Sequence, residues 1–451
     1  MPRGSPRDEF VIDFSALPLS ADLLRLIEQE KEEFEAVLGS TVSFRRAAAG
    51  DRAWTIEPPT APGAPPQLRW ESATRLVSVA GSVQEFTATL NALHTVSRSP
   101  RDAVVVGPVD SVEDAVRTIR DEIANTYPYF ALRGLDWDRI CDRHLSQPPP
   151  ASEFADFAAA WVAELGDAHT AVKMSSTGGF NPPYRGTLES DGVHLTAVPE
   201  SSAAWSAGVR AGWVVEIDDV ERFVRTVGAT PQQLSQVQAR RALAMAEERR
   251  TYRARDAQGR RAVEWEEVVQ PTSLENTVRI EGDVRDRVVR IRAFDSRVDL
   301  HSVFDEVIAA GHPDDRITID LRGNTGGSIL LATDLRDRFL RRRTHVGYVA
   351  FTDGRGGIGP RNERWADPSE RSRWPGHVDI LIDSLTYSAS EDFILGLQGL
   401  EHVRVRGSVS GGGSGRPRRI PLLPGIDLTI STAITYDRQG HPVEFHGIRP
   451  D

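Results

Sequence analysis

From residue 287 to residue 407 two hydrophobic periods alternate, and this constrains the fold more than anything else in the chain. RVVRIRAF, RITIDLRG, THVGYVAF, HVDILID and VRVRG are short apolar or alternating runs of strand type. Between them SVFDEVIAAG, LLATDLRDRFLRR and ASEDFILGLQGL repeat their apolar residues at helical spacing. A segment with one period cannot bury its apolar residues in the other state. The alternation therefore predicts a layered α/β core in which helices cover a sheet. An antiparallel tail, IDLTISTAITYDRQGHPVEFHG, follows it.

The preceding segments differ in character. Residues 1–105 read as a separate α/β unit, with helices expected over 20–39 and 87–98 and strands at TVSFRRA, RAWTIE, QLRWES and TRLVSVA. Residues 106–180 read as a helical segment: SVEDAVRTIRDEIANTYPYF opens on a capping box, and FADFAAAWVAELGDAHTAV ends near Gly166. Residues 181–270 combine strands, a short helix, a long helix expected over 230–250 and closing strands, the pattern of a compact binding module. Residues 271–451 hold the α/β core.

Composition narrows the function. The net charge of -11 argues against nucleic-acid binding. Cys141 is the single cysteine, so no internal disulfide and no cysteine metal framework is expected. The eleven histidines show no metal-ligand spacing, and no metal or other cofactor is expected. No run has the apolar length of a membrane span and the N-terminus lacks a signal peptide, so the chain as written reads as cytoplasmic. Only Lys31 and Lys173 are lysines.

Four stretches could carry chemistry. RITIDLRGNTGGSI runs a strand into a turn with Gly323, Gly326 and Gly327, whose N–H groups could hold a phosphate or an oxyanion. It fits neither the Walker A nor the dinucleotide-binding spacing. ELGDAHTAV places His169 just beyond a helix. DSLTYSASEDF holds Ser384, Ser388 and Ser390, with Ser388 and Glu391 spaced as a capping box. DRQGHPVEFHGIRPD contains Glu444. Locally, each also reads as a plain turn, a structural histidine, a helix cap or a solvated carboxylate.

Their order decides between these readings. D-x-H-T, a binding module, D-L-R-G-N-x-G-G, T-x-S-A-x-E and E-x-x-G-x-x-P-D follow one another. This resembles the serine peptidase family that contains the carboxyl-terminal processing proteases and the core of tricorn protease. The resemblance runs from about residue 126 to the end. It implies a crotonase-like catalytic core with a PDZ-like domain over 181–270. It also implies Ser388 as nucleophile, with an oxyanion hole formed by Ala389 N–H and that of Gly326 or Gly327. The processing-protease branch uses a lysine base some two dozen residues past the serine; here that region has arginines, which stay protonated. The tricorn-like branch implies His169 as general base and Glu444 as the carboxylate that orients it. Tricorn has a serine before its histidine where this chain has Ala168, so Glu444 is expected to reach the ring directly or through Thr170, a water or another hydroxyl.

The resemblance therefore implies hydrolysis of a peptide or protein substrate through an acyl-enzyme, and it allows a homo-oligomer because family members often assemble. Two alternatives use the same scaffold: a non-catalytic carrier of ligands, or a biosynthetic hydrolase or acyltransferase for one small acylated or peptidic substrate.

Overall fold

The structure, a computed structural model, describes residues 9–12, 41–44, 52–57, 67–72, 104–105, 109, 111–146, 149–174, 182–245, 247–268, 277–283, 285–295 and 298–451. The helices expected over 20–39 and 87–98 and the strand TRLVSVA lie outside these residues. The chain divides into two compact units that interleave along the sequence.

One unit comprises residues 1–137, 350–361 and 417–433. Its strands Glu9–Ile12, Thr41–Phe44, Arg52–Glu57, Gln67–Ser72 and Val104–Val105 form a mixed sheet in which the first lies between the second and third. The helix Val112–Thr126 starts where expected, with Ser111 Oγ accepting from Asp114 N–H at 3.1 Å. Its buried Glu122 pairs with buried Arg418 on the antiparallel hairpin Arg418–Leu423 and Ile426–Ile430. Thr126 Oγ1 accepts from the same guanidinium at 3.1 Å. Both contacts use Arg418 Nη2, while its Nε and Nη1 are buried without a hydrogen-bond partner among the described residues, so the pairing offsets only part of the penalty of burial.

The second unit, residues 138–349, 362–416 and 434–451, contains a module and a core. The module is a five-stranded antiparallel sheet in the order Ala262–Val268, Arg249–Arg255, Val214–Val215, Gly192–Ala197, Arg185–Glu189. RRTYRAR alternates as a half-buried strand should: Tyr252 and Ala254 point inward and the residues between them outward. Tyr252 sits opposite Trp265 in register, their rings 5.5 Å apart, within a core shared with Tyr184, Val193 and Leu195. The helix expected over 230–250 is shorter, Leu234–Ala242. Leu243 and Met245 leave it to enter that core, and the chain becomes the strand that starts at Arg249. Tertiary burial overrides helical propensity there.

The core sheet has the order Val278–Glu281, Asp286–Ile291, Arg316–Asp320, His377–Ile382, Val403–Gly407. The first pair is antiparallel and the other pairings are parallel. Helices Leu300–Ala309, Ile329–Asp337 and Ala389–Leu395 supply Phe304, Leu335 and Phe393 to the same buried cluster as Ile317, Ile319, Ile380 and Val405. The alternating periods thus give the mixed α/β layering they predict. The carboxyl ends of the central parallel strands, where ligand sites of such sheets form, carry the Gly-rich turn and the serine turn.

Candidate active site

The two central strands are tied together where they end. Asp383 accepts from Gly323 N–H at 2.9 Å and Leu385 N–H at 3.1 Å, while Thr386 Oγ1 donates to Leu321 O at 2.9 Å. The chain then turns sharply into the helix Ala389–Leu395. Ser388 at the turn has φ +60° and ψ −126°, a conformation that costs a non-glycine residue about 1–3 kcal/mol and survives only where its surroundings impose it.

Those surroundings centre on Glu391. Its buried carboxylate accepts from Ser388 N–H (3.1 Å), Gly412 N–H (2.9 Å), Gly413 N–H (2.8 Å) and Ser410 Oγ (2.5 Å). Ser388 N–H also reaches Gly413 O at 2.9 Å. Burial pushes the Glu391 carboxyl up to about 7, against the opposing pull of its four donors. The S-x-x-E spacing thus forms a helix start that also clamps the serine turn onto the glycine run 411–413. Added side chains would not fit that run: a Cβ on Gly413 would lie 2.3 Å from the Tyr387 hydroxyl oxygen.

His169 arrives from the other side. The helix Phe154–Ala163 ends, Gly166 adopts φ +60°, and buried Asp167 accepts from His169 N–H at 2.9 Å and Thr170 Oγ1 at 2.7 Å. The ring packs on Tyr387 at 4.6 Å between centroids. Nε2 lies 3.1 Å from Ser388 Oγ. Desolvation pushes the imidazole down to about 4; Asp167 pulls it upward, Lys173 downward and Asp392 upward. The ring is therefore neutral near pH 7, and accepting at Nε2 requires the proton on Nδ1. Nδ1 has no hydrogen-bond partner among the described residues.

The two candidate oxyanion glycines differ. Gly326 N–H donates to Asn324 Oδ1 at 2.9 Å, so it is already engaged. A Cβ on Gly326 would meet Ser388 Cβ at 2.8 Å, which shows how closely this backbone crosses the serine. Gly327 forms a parallel bridge with Phe294, using the Gly326 carbonyl and the Ser328 N–H. In such a bridge the N–H of the central residue faces the opposite side. Gly327 is exposed, and neither its N–H nor that of Ala389 has a hydrogen-bond acceptor among the described residues.

Glu444 is placed differently from the other candidates. It is buried, and both its oxygens accept from Thr435 N–H, at 2.9 and 3.1 Å, with no hydrogen bond to His169. Burial holds its carboxyl well above the usual range, and the field of Glu391 adds to this. Ser388, His169, Gly326, Gly327 and Ala389 thus converge, while Glu444 stands apart from the ring. Asp167 and Tyr387 were not singled out as functional from the sequence. Asp167 lies within the D-x-H-T signature, but nothing in the letters says that its carboxylate holds a backbone N–H. Among the described residues a metal-like grouping of Glu189, Asp191 and His194 lies exposed on the module, where Asp191 is already paired with Arg255. No helix among the described residues is long and apolar enough to cross a membrane.

Residues 288–451 match the model of peptidase family S41. The nisin-resistance protein of Lactococcus lactis subsp. lactis is 26% identical over 144 residues, which make up 30% of this chain and 45% of that protein. The chain thus spans less than half the length of that relative. Two solved structures share the fold. The photosystem II D1 C-terminal processing protease is 18% identical, with a TM-score of 0.51 over 76% of this chain and 93% of its own. Mature CPAF, solved with lactacystin, is 14% identical, with a TM-score of 0.55 over 75% and 93%.

Proposed function

We propose that the chain is a serine peptidase that hydrolyses peptide bonds through an acyl-enzyme on Ser388. The observation that carries this reading is the 3.1 Å contact between a neutral imidazole nitrogen and the hydroxyl of a strained, clamped serine. Ser388 Oγ attacks the scissile carbonyl carbon as His169 Nε2 takes its proton. The oxygen of the tetrahedral intermediate is held by the N–H groups of Gly327 and Ala389. Collapse breaks the C–N bond, and His169 gives its proton to the leaving amine. Water then attacks the ester, loses a proton to His169, and the serine leaves with that proton restored.

Two carboxylates serve the imidazole in this reading. Asp167 fixes the loop through the His169 backbone. Glu444 orients the ring through an intervening group, since neither of its oxygens hydrogen-bonds the His169 ring. The core is taken as crotonase-like and the module at 181–270 as PDZ-like. The family match, together with the shared fold of two proteases, favours peptides or proteins as substrates.

Fluorophosphonate labelling with peptide mapping tests the reading. One adduct on the peptide containing Ser388 is expected, absent in Ser388→Ala and much slower in His169→Ala. No adduct on a folded wild-type protein would refute an activated serine and leave the carrier alternative.

A further inference from the structure

The module reaches the candidate active site through side chains from two of its elements. Its edge strand Arg185–Glu189 and its helix Leu234–Ala242 pack on each other, and each sends one arginine to the Gly-rich turn. Arg185 opens the strand: its Nη1 donates to Asp383 Oδ2 at 2.8 Å and its Nη2 to Arg322 O at 2.9 Å. Asp383 is the carboxylate that also accepts from Gly323 N–H at 2.9 Å, so the guanidinium closes a ring of contacts around the start of the turn. A Cβ on Gly323 would lie 2.8 Å from Arg185 Cζ, so this close approach needs glycine. Arg240, on the helix, donates from Nη1 to Thr325 Oγ1 at 3.1 Å, two residues before Gly327. The loop ahead of that helix is seated on the other half of the site, where Thr230 Oγ1 donates to Gly411 O at 2.5 Å.

Neither arginine belongs to the module's own core, which is built from Tyr184, Tyr252, Trp265 and their apolar neighbours. Arg240 has no carboxylate partner among the described residues, and burial pushes its guanidinium down to about 10, with the charge of Arg241 adding. Partly burying a cation against one neutral hydroxyl costs stability, and the order gained falls on the turn that carries Gly326 and Gly327. The core fixes Asn324 through Tyr387 N–H at 3.0 Å and Ile291 O at 3.2 Å, while Arg322 O and Thr325 Oγ1, on either side of it, bond the module. We infer that Arg185 and Arg240 are positioning residues of the reaction, by which the module holds the turn 322–327 with Gly327 N–H toward the oxyanion. The module is then a working wall of the active site and not only a tether for substrate. Arginine suits the first position because its planar fork serves Asp383 and Arg322 O together, which an ammonium cannot do. This inference rests on the serine-peptidase reading and assigns the residues that set the oxyanion donor of that site.

The test uses a small alkyl fluorophosphonate, whose phosphoryl oxygen occupies the oxyanion site and which is too short to engage the module's strand edge. Its second-order rate of labelling Ser388 in the full-length protein is measured beside kcat and KM for a peptide the protein cleaves. Arg240→Met and Arg185→Met are each expected to slow labelling and lower kcat by about tenfold or more, with KM little changed. Thr325→Val should reproduce much of the Arg240→Met loss, and the two together should be no slower than Arg240→Met alone. Arg185→Lys should recover part of the rate, since lysine can still pair with Asp383. Wild-type labelling rates in folded Arg240→Met and Thr325→Val proteins overturn the inference. So does a raised KM with labelling unchanged, the pattern of a tether. The Arg240 and Thr325 variants decide the matter if Arg185→Met does not fold. A wild-type protein that takes no label refutes the peptidase reading instead.

Discussion

The serine turn and the histidine loop face each other across 3.1 Å but are built in opposite ways. Ser388 sits in a strained conformation that its surroundings impose: one carboxylate gathers four donors from two stretches of chain, and a glycine run closes over it. His169 is held by its backbone, by Asp167 and by ring packing on Tyr387, while its Nδ1 has no partner among the described residues. In the proposed mechanism the nucleophile must keep a costly geometry through every turnover, so its frame is redundant. A base needs only the correct tautomer and reach, so its frame can be sparse and gain its last partner with substrate in place.

The largest effect expected from breaking this arrangement is loss of the chemistry itself. Ser388→Ala and His169→Ala should each lower turnover by about 10⁴-fold or more with little change in melting temperature. A variant retaining a tenth of wild-type turnover would remove that residue from the mechanism. Next comes the frame of the serine. Gly326→Ala places a Cβ 2.8 Å from Ser388 Cβ at φ +102°, and should cost about 10²-fold in kcat, since displacement by an ångström has that effect. Ordinary kcat with a lowered melting temperature would show that the turn tolerates the shift.

The histidine side should respond more mildly. Glu444→Gln is expected to lower kcat about tenfold, in keeping with indirect orientation of the ring. Unchanged kcat would leave Asp167 and Tyr387 as its whole support.

The smallest effect separates the two sides by titration. Glu391 binds its proton more tightly in the folded state, about 7 against 4.5, so its contribution to stability falls as pH rises between those values. His169 is the reverse: folded at about 4 against 6.5, it resists protonation, so its contribution rises with pH from 4 to 6.5. Over the shared window the two oppose each other. Glu391→Gln should therefore make the slope of unfolding free energy against pH more positive than in wild type, and His169→Ala more negative, by up to about 1.4 kcal/mol per pH unit. Denaturant melts at pH 4.5 and 6.5 would check this, and slopes that move in the same direction would contradict it.

Much of the core was legible without coordinates. THVGYVAF and VRVRG form strands with the same bounds as their apolar runs, at Thr344–Phe351 and Val403–Gly407, because strand and helix periods cannot be exchanged without exposing the apolar face. Ser111 and Glu391 mark helix starts as their spacing predicts. The helix expected over 230–250 was misjudged at its C-terminal half, since which apolar residues a neighbouring sheet will claim is not a local property. That Gly326 N–H is engaged by Asn324 while Gly327 N–H has no acceptor among the described residues was equally out of reach, because it turns on Asn324 and Phe294 occupying one set of N–H and C=O groups.

The sequence by itself determined the layered α/β core and the order of its signatures, both of which depend on residues close together along the chain. Only tertiary structure decided that His169 meets Ser388, 219 positions further along the chain, that Glu391 clamps the turn it also caps, and that Glu444 bonds Thr435 rather than the ring. Hydrogen bonds act over about 3 Å, and which groups come that close is set by how the sheet ends and loops converge.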